Sequence, residues 1–271
     1  MLTLDVALIT YGADGIGRVA AMNLPRVDGV RYVVSWQQHG DTPVPQSLVR
    51  DDVTIHRFDT KGQSHNRNNA VNHCSGDIIL MSDDDLIYTA EGLKAVISTY
   101  EQNPDVDVAT FRASLPYPKP YPSGHCKLSD PMPKNYSVGG IEISCRRRSI
   151  GDLRFHPLFG LNSPAMHGAE DELFLLSAIR RGLDCRFFPI TICKHPSLST
   201  GVKYRLTDYN LRAIGCYIAI AYRRTWPARI LLKALRTKRS RQAGLLRALR
   251  YLAAGALYAP TILKGDRRYL W

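Results

Sequence analysis

The chain has 271 residues, 45% hydrophobic and 22% charged, a composition typical of a folded protein with a sizeable core. Its six cysteines are scattered without a C-x-x-C pair, which argues against a zinc ribbon or a redox motif of that kind. The net charge of +12 comes from Arg223–Trp271, with thirteen Lys or Arg and one acid, because residues 1–222 hold 23 basic and 23 acidic residues. We therefore expect a main domain over 1–222 and a basic tail over 223–271.

Apolar runs and helical patterns alternate over the first two hundred residues. Strands are predicted at Leu4–Tyr11, Val30–Trp36, Val53–Phe58, Asp77–Met81, Val106–Phe111, Val138–Ser144 and Arg186–Ile190. Helices are predicted at Gly15–Leu24, Asn66–Cys74, Ala90–Gln102 and Ala169–Arg181. Continuous apolar strands separated by helices indicate an α/β sheet covered on both faces, in which ligands bind beyond the carboxyl ends of the strands. The first run, at the very start of the chain, is typical of a strand and not of a signal peptide, so a cytoplasmic protein is expected.

The stretch LITYGADGIGR brings three glycines to the end of the first strand. The G-x-x-G-x-G spacing of Gly12, Gly15 and Gly17 is similar to the turn of short-chain dehydrogenases but one residue short. No Tyr is followed four residues later by Lys, which that family needs for hydride chemistry. An ordinary strand-to-helix turn is the simpler interpretation, and a nicotinamide-dependent oxidoreductase using GADGIG stays an alternative.

In the stretch GDIILMSDDDLIY, four apolar residues precede three acids, Asp83, Asp84 and Asp85. On an extended segment Asp83 and Asp85 point the same way and Asp84 points away. Two carboxylates on one side can share Mg²⁺ or Mn²⁺, which favour oxygen ligands. Capping of a helix near Thr89 is one alternative. A phosphatase of the haloacid-dehalogenase type, with signature D-x-D-x-T/V, is another, although Ile87 stands at the last position.

The segment LPYPKPYPSGHCKLSDPMPK, residues 115–134, holds six prolines. It can be neither a helix nor a central strand. A surface crossover loop and a lid that faces a substrate are both compatible with this composition.

Two longer stretches carry a family resemblance. GQSHNRNNAVNHCSGDIILMSDDD, Gly62–Asp85, has the small-residue turn, R-N pair, G-D and D-x-D of family 2 glycosyltransferases. Phe155–Pro196, with E-D at a helix start and a later H-P, resembles their acceptor half. The resemblance spans roughly Leu4–Gly201. It implies a Rossmann-like GT-A fold, with a mixed, mostly parallel sheet flanked by helices, here extended by a basic helical C-terminus.

The resemblance also implies roles for the acids and for one histidine. Asp85 would be the direct ligand of Mn²⁺ or Mg²⁺, and Asp83 would share the metal or hold the ribose. His195, in KHP, would supply a later metal contact, although a histidine before proline is also typical of a turn. Asp171 would be the base, with Glu170 raising its pKa, although acids in the first turn of a helix are favoured by its dipole alone.

The donor site implied by the resemblance involves further residues. Thr10, Tyr11 and Asp84 would lie around the nucleotide, and Arg67 could pair with phosphate or be a solvated helix residue. The second strand ends in VVSWQQHGDT, where family members often carry acids. Gln37 and Gln38 could therefore bind the base edge through their amides.

The tail predicts amphipathic helices with cationic sides. Arg229, Lys233 and Arg236 recur at helical spacing. The longest uncharged stretch, Tyr251–Leu263, is too short to span a bilayer. Such a helix suits an anionic membrane surface. Docking on the main domain and binding of nucleic acid are the alternatives, and the latter is not expected because few aromatic residues accompany the charges.

The resemblance thus implies an inverting, metal-dependent hexosyltransferase. The donor would be a nucleoside-diphosphate sugar, by resemblance a UDP-sugar, and the acceptor a hydroxyl of a saccharide or lipid-linked molecule in cell-surface polysaccharide synthesis. The protein would be peripheral on the inner face of the cell membrane. The alternatives of a different class are the nicotinamide oxidoreductase and a basic binding module without catalysis.

Overall fold

A computed structural model gives the structure of residues 1–134, 136–197 and 206–271. The strands are β1 (Leu4–Tyr11), β2 (Val30–Gln37), β3 (Val53–Phe58), β4 (Ile78–Ser82), β5 (Ile87–Tyr88), β6 (Val108–Ser114), β7 (Cys126–Lys127), β8 (Ile143–Arg146) and β9 (Cys185–Lys194). The helices are α1 (Gly12–Ala21), α2 (Gln63–His73), α3 (Ala90–Gln102), α4 (Arg147–Ile150), α5 (Glu170–Arg180), α6 (Asp208–Ala221), α7 (Trp226–Arg239) and α8 (Leu245–Leu263). Gly201, the end of the family resemblance, lies outside the described residues.

The chain divides into two units by its internal contacts. The first unit comprises Met1–Lys61, His65–Asp152 and Ala178–Ser197 and carries every strand given above. The second comprises Gly62–Ser64, Leu153–Ser177 and Leu198–Trp271, of which 206–271 are described in the last segment. The domain boundary expected between residues 222 and 223 stays a prediction.

The sheet of the first unit has the order β3-β2-β1-β4-β8-β6-β9-β5, with β7 on β9. Strands β3, β2, β1 and β4 are mutually parallel, β8 runs antiparallel to β4 and β6, and β6 is parallel to β9. The chain therefore leaves β1 towards β2 and β3 and then returns to β4 on the other side of β1. Such a reversal opens a crevice at the carboxyl ends of the two strands, where α/β sheets bind ligands.

The central strands are mostly apolar and are buried. Every residue of β4 is buried, as is every residue of β1 except Tyr11. These are the continuous apolar runs expected of parallel strands covered on both faces. The predicted α/β class is confirmed, and the bounds predicted for Leu4–Tyr11, Val53–Phe58 and Ala90–Gln102 match the structure.

The strand predicted at Val138–Ser144 starts later than expected, at Ile143. A 3₁₀ turn, Gly140–Glu142, precedes it, and the carboxylate of Glu142 accepts the backbone N–H of Gly139 at 2.9 Å. A Cβ on Gly140 would lie 2.2 Å from Nη2 of Arg67, so this backbone passes directly against the guanidinium. The turn therefore replaces the first half of the predicted strand.

Side-chain contacts hold the proline-rich segment, residues 115–134, against the rest of the first unit. The ammonium of Lys119 lies 2.7 Å from both oxygens of Glu142, and the hydroxyl of Tyr121 donates to the same carboxylate at 2.6 Å. Further along, Cys126–Lys127 pairs with the sheet as the edge strand β7. As predicted, the segment supplies no helix and no central strand.

The second unit is built around α6 and α8, and α6 was not among the predicted helices. The two helices run parallel, because Arg247 near the start of α8 binds Asp208 at the start of α6 at 2.7 Å. They cross through two glycines. A Cβ on Gly215 would lie 2.0 Å from the backbone oxygen of Leu252, and a Cβ on Gly255 would lie 2.0 Å from that of Arg212. Only glycine permits this backbone-to-backbone approach.

The basic tail packs into the second unit through one face and exposes the other. Ile230 and Ala234 of α7 are buried in the core that also contains α6 and α8. Lys233, predicted to lie on the cationic face, is half-buried, and burial lowers its pKa while the nearby Glu172 opposes that shift. Within the described ranges, no helix combines the length and apolarity that crossing a bilayer requires.

Candidate active site

The carboxyl ends of β1 and β4 lie side by side in the first unit. Leu8 pairs with Ser82 in the parallel register, so Thr10 and the acids after β4 reach the same edge of the sheet. The strand itself ends at Ser82. The predicted alternation of side chains therefore does not govern Asp83, Asp84 and Asp85, which instead lie in a turn and face three different basic groups.

Asp84 is held by α1 and by the end of β1. The hydroxyl of Thr10 donates to Oδ2 at 2.6 Å, and the guanidinium of Arg18 binds both oxygens, with Nε at 3.0 Å and Nη2 at 2.8 Å. A bidentate contact of this kind fixes the carboxylate in orientation as well as in charge. Asp84 thus ties β4 to β1 and α1 and helps to shape the crevice between them.

Gly15 is required for this contact. A Cβ on Gly15 would lie 2.3 Å from the hydroxyl oxygen of Thr10 and 3.1 Å from a carboxylate oxygen of Asp84. The glycine-rich turn therefore leaves room for the Thr10–Asp84 pair. A pyrophosphate placed at this turn would meet the carboxylate of Asp84, which argues against the nicotinamide-binding alternative.

Asp83 faces Arg67 on α2. Nη2 of Arg67 lies 3.4 Å from Oδ1 of Asp83, and the Arg67 side chain is 3% exposed. Asn66, the preceding residue, donates its amide to the backbone oxygen of Thr10 at 2.9 Å. Asn66 and Arg67 of α2 are thus held at the ends of β1 and β4 and do not lie on a solvated face of the helix.

Asp85 faces His195, which follows β9. Nε2 of His195 lies 3.5 Å from Oδ1 of Asp85. Burial raises the pKa of Asp85, the imidazole opposes this shift, and the adjacent carboxylates of Asp83 and Asp84 reinforce it. The other ring nitrogen of His195, Nδ1, is buried and has no hydrogen-bond partner among the described residues. The pair therefore offers a carboxylate oxygen and an imidazole nitrogen as possible metal ligands in a partly buried position.

The Asp85–His195 pair fits a divalent cation whose remaining ligands are oxygens of the substrate. In the described part of the chain no cluster of three or more His, Cys, Asp or Glu side chains is placed to hold a metal. Mg²⁺ is commonly bound through one or two carboxylates with substrate phosphates and water, so a two-residue set is sufficient. Imidazole and carboxylate are both acceptable ligands for Mn²⁺. Asp83, the third predicted ligand, is engaged with Arg67.

Helix capping does not account for the acidic triplet. The N-cap of α3 is Thr89, whose hydroxyl accepts the backbone N–H of Gly92 at 3.1 Å. None of the three aspartates has this position. Capping of α3 therefore does not explain why three acids stand here.

The other donor-site residues lie around the ends of β1 and β2. Tyr11 is 47% exposed, as a residue that packs on a ligand can be. Gln37 is buried and donates its amide to the hydroxyl of Thr60 at 2.8 Å, whereas Gln38 donates to the backbone oxygen of Asp59 at 3.0 Å. Both amides already have protein partners, and the roles of Tyr11 and the two glutamines stay predictions.

The predicted base lies in the second unit, in the first turn of α5. Glu170 is buried, with its carboxyl carbon 3.4 Å from the Cβ position of Gly160, whose φ is +98°. Asp171 is half-buried and so is the more accessible carboxylate of the two. Ser64 donates its hydroxyl to the backbone oxygen of Phe159 at 2.8 Å and thereby fixes the neighbouring turn.

Sequence reasoning missed Arg18 and Asn66. Arg18 binds Asp84 beyond the end of β4, and Asn66 binds the backbone oxygen of Thr10 near the end of β1. A signal was present for Arg18, because it follows Gly15 by one helical turn. For Asn66 the signal was its position directly before the R-N pair, in which only Arg67 had been given a role.

A protein-family model matches part of the chain. Residues 46–151 match the family model Glycosyl transferase family 2. The matched segment contains α2, β4 and the three aspartates. No curated protein matches the chain.

Several solved structures share the fold. Residues 1–349 of S. aureus TarS align at 14% identity with a TM-score of 0.59, covering 96% of this chain and 92% of that one. TarS in complex with UDP-GlcNAc aligns at 15% identity and a TM-score of 0.57, covering 82% and 68%. The mannosyltransferase PcManGT from Pyrobaculum calidifontis, in complex with GDP-Man and Mn²⁺, aligns at 16% identity and a TM-score of 0.56, covering 98% and 76%. The expected GT-A fold is confirmed.

Proposed function

We propose that the chain transfers a sugar from a nucleoside-diphosphate sugar to an acceptor hydroxyl. The observation that carries this proposal is the Asp85–His195 pair, at the carboxyl edge of the sheet and adjoining the Asp83–Arg67 and Asp84–Arg18 pairs. The aspartates lie within the segment that matches the family model. Incubation with a panel of UDP- and GDP-sugars and Mn²⁺, with release of nucleoside diphosphate measured, tests it. Release with none of the donors, in the presence of saccharide and lipid-linked acceptors, contradicts it.

The donor would bind across the ends of β1 and β4. Asp85 and His195 would hold Mn²⁺ or Mg²⁺, which when bound neutralises negative charge that develops on the leaving diphosphate. Arg67, fixed against Gly140 and Asp83, would add a cation beside the diphosphate. Tyr11 would pack on the nucleotide, and Gln37 and Gln38 would contact its base. We propose a UDP-sugar as the donor, on the resemblance given above.

The acceptor hydroxyl would lose its proton to Asp171. A carboxylate at the start of a helix is oriented by the surrounding backbone, and a half-buried one is reachable by a substrate. Glu170 would raise the proton affinity of Asp171 through its adjacent charge. A direct attack by the deprotonated hydroxyl on the face opposite the diphosphate inverts the anomeric centre. We propose this inverting course and a hexose as the transferred group.

Substitution Asp171→Asn is expected to leave donor binding unchanged and to lower kcat by about 10²–10⁴-fold, the usual contribution of a general base. Calorimetry with the donor and a turnover assay measure the two quantities. Glu172→Gln is the matched control, because it removes one charge from the same helical turn. A dipole role alone would give both variants the same modest loss of stability and leave transfer intact, which would contradict the assignment of Asp171 as the base.

We further propose that the acceptor is a saccharide or lipid-linked molecule used in polysaccharide synthesis, and that the protein works at an anionic membrane surface. The support is the outer face of α7. Leu231, Leu232 and Leu235 are 50%, 54% and 45% exposed, and exposed cations, Arg236, Lys238 and Arg239, follow them on the same helix. Apolar side chains flanked by cations are typical of helices that lie in the headgroup region.

Replacement of all three leucines by serine is expected to reduce binding to anionic vesicles by at least about tenfold, because the helix then has less apolar surface to bury in the membrane. Binding of the unaltered chain should also weaken as salt is raised. Sedimentation with vesicles measures both effects. The matched control is Leu246→Ser, Leu257→Ser, which removes two exposed leucines from α8. Full binding by the triple variant would contradict the proposal. Deletion of residues 223–271 is unsuitable, since α7 and α8 form the core of the second unit.

A further inference from the structure

The first part of the proline-rich segment, the loop 115–121, begins beside the candidate metal pair in the first unit. The backbone oxygen of Ser114, the last residue of β6, accepts the N–H of His195 at 2.9 Å. Strand β8 is antiparallel to both β4 and β6, so β4 and β6 end at the same edge of the sheet. The loop 115–121 therefore leaves the sheet at the edge that carries the three aspartates.

The far end of this loop is fixed on the buried carboxylate of Glu142, which is 1% exposed. That carboxylate accepts the ammonium of Lys119 at 2.7 Å and the hydroxyl of Tyr121 at 2.6 Å. The backbone N–H of Gly139 donates to it at 2.9 Å. The hydroxyl of Tyr121 also accepts the backbone N–H of Ala113 at 3.2 Å, which ties it to β6. Glu142 with its partners Lys119 and Tyr121 forms the anchor of the loop, because separating a buried carboxylate from its donors costs desolvation energy.

This anchor adjoins the Asp83–Arg67 pair. The ammonium of Lys119 lies 3.5 Å from the Cβ position of Gly139, and the Cβ position of the next residue, Gly140, lies 2.2 Å from Nη2 of Arg67. Arg67 in turn lies 3.4 Å from Asp83. One end of the loop therefore adjoins the candidate metal pair, and the other end adjoins the arginine expected beside the diphosphate.

The composition of the loop makes it stiff and poor in hydrogen-bond donors. Its sequence is LPYPKPY, with a proline at every second position and no acid. Each proline fixes its own φ, removes one backbone N–H and restricts the residue before it. The three prolines are exposed, whereas the four residues that alternate with them are half-buried, so an extended loop turns one face inward. A stiff loop with few donors suits a wall that keeps water away from a reacting carbon.

Given the function proposed above, we propose that the loop 115–121 is a wall of the donor site and that Glu142 is the residue that positions it. The wall keeps water from the anomeric carbon, so that the acceptor hydroxyl attacks the sugar. In the competing hydrolysis, a water oxygen bonds to that carbon as the bond to the diphosphate breaks, and the water proton is lost to solvent. Stabilisation of the fold alone would explain a buried ion pair, but not why the pair fixes a stiff loop between two parts of the candidate site.

Transfer and hydrolysis are measured in the same reaction, as glycosylated acceptor and as free sugar, with a donor that the unaltered chain uses. Lys119→Met and Glu142→Gln each remove one charge of the anchor at nearly constant volume, and Tyr121→Phe removes only a hydroxyl. Lys127→Met is the matched control, because Lys127 belongs to the same proline-rich segment but is 69% exposed and lies 3.6 Å from Asp184. Thermal melting shows which variants are folded, and Tyr121→Phe carries the test where a charge variant is not.

Each folded anchor variant is expected to raise the ratio of hydrolysis to transfer by about tenfold or more, with a change of less than about twofold in the KM for the donor. Lys127→Met should leave the ratio within about twofold of the unaltered chain. A loss of stability alone lowers both reactions together and leaves the ratio unchanged.

Two kinds of failure are distinguishable. An unchanged ratio in the folded anchor variants, or an equal change in Lys127→Met, overturns the role of the loop while the transferase function stands. Release of nucleoside diphosphate from no donor by the unaltered chain overturns the proposed function itself, and the role of the loop with it.

Discussion

Substitution Asp85→Ala is expected to lower the rate of metal-dependent sugar transfer by at least about 10³-fold while the chain stays folded. The carboxylate would hold the cation that neutralises the leaving diphosphate, and a contribution of several kcal/mol to the transition state corresponds to this factor. Folding should survive, because burial and the neighbours Asp83 and Asp84 already disfavour the charged form of Asp85, as its raised pKa indicates. A turnover assay with Mn²⁺ and a melting curve measure the two quantities.

The control for this substitution is Asp59→Ala, which removes a carboxylate that is 98% exposed, beyond the end of β3. It should leave transfer unchanged. His195→Ala should lower transfer less than Asp85→Ala, because a histidine contributes no negative charge to the cation. Wild-type transfer by Asp85→Ala, with Mn²⁺ still required, would show that another residue holds the metal.

Substitution Gly215→Ala should destabilise the second unit by about 3 kcal/mol, the upper end of the usual cost of overpacking. Its methyl group would lie 2.0 Å from the backbone oxygen of Leu252, and a backbone atom cannot rotate away as a side chain can. Separation of α6 and α8 is the only relief. Alanine otherwise stabilises a helix relative to glycine. A loss of stability in this variant would therefore show that α6 and α8 pack backbone to backbone at Gly215.

The matched control is Gly17→Ala in α1. Nothing lies within 4 Å of the Cβ position of Gly17, so this change should stabilise its helix by about 0.5–1 kcal/mol. Denaturant unfolding of both variants measures the difference. If Gly215→Ala is as stable as Gly17→Ala, the close approach of α6 and α8 does not exist in solution.

The parts of the fold that the sequence predicts are those with a simple pattern. Leu4–Tyr11 and Ala90–Gln102 were predicted with their observed bounds, since one is a continuous apolar run and the other is an amphipathic helix with Thr89 at its N-cap. Helix α6 was missed because it is apolar on most sides and has a glycine at its centre. Its stability depends on a partner helix, α8, that begins only at Leu245, and the local sequence pattern of α6 cannot show this.

The candidate site divides in the same way. The acidic triplet and His195 stand out in the sequence because like charges and a histidine follow apolar strands, and the structure brings Asp85 and His195 to 3.5 Å. The pairing of Asp83 with Arg67 and of Asp84 with Arg18 could not be predicted. It depends on the order of the strands and on backbone contacts at Gly15 and Gly140, which only the folded chain creates.

The most direct test is a crystal structure of the chain with Mn²⁺ and UDP, in which anomalous scattering locates the metal. Asp85 would hold the ion, His195 would be a further ligand, and the ion would lie beside the diphosphate of UDP. UDP bound at the ends of β1 and β4 with the ion on other residues, or no ion at all, would contradict the central claim that Asp85 holds the metal for the donor diphosphate.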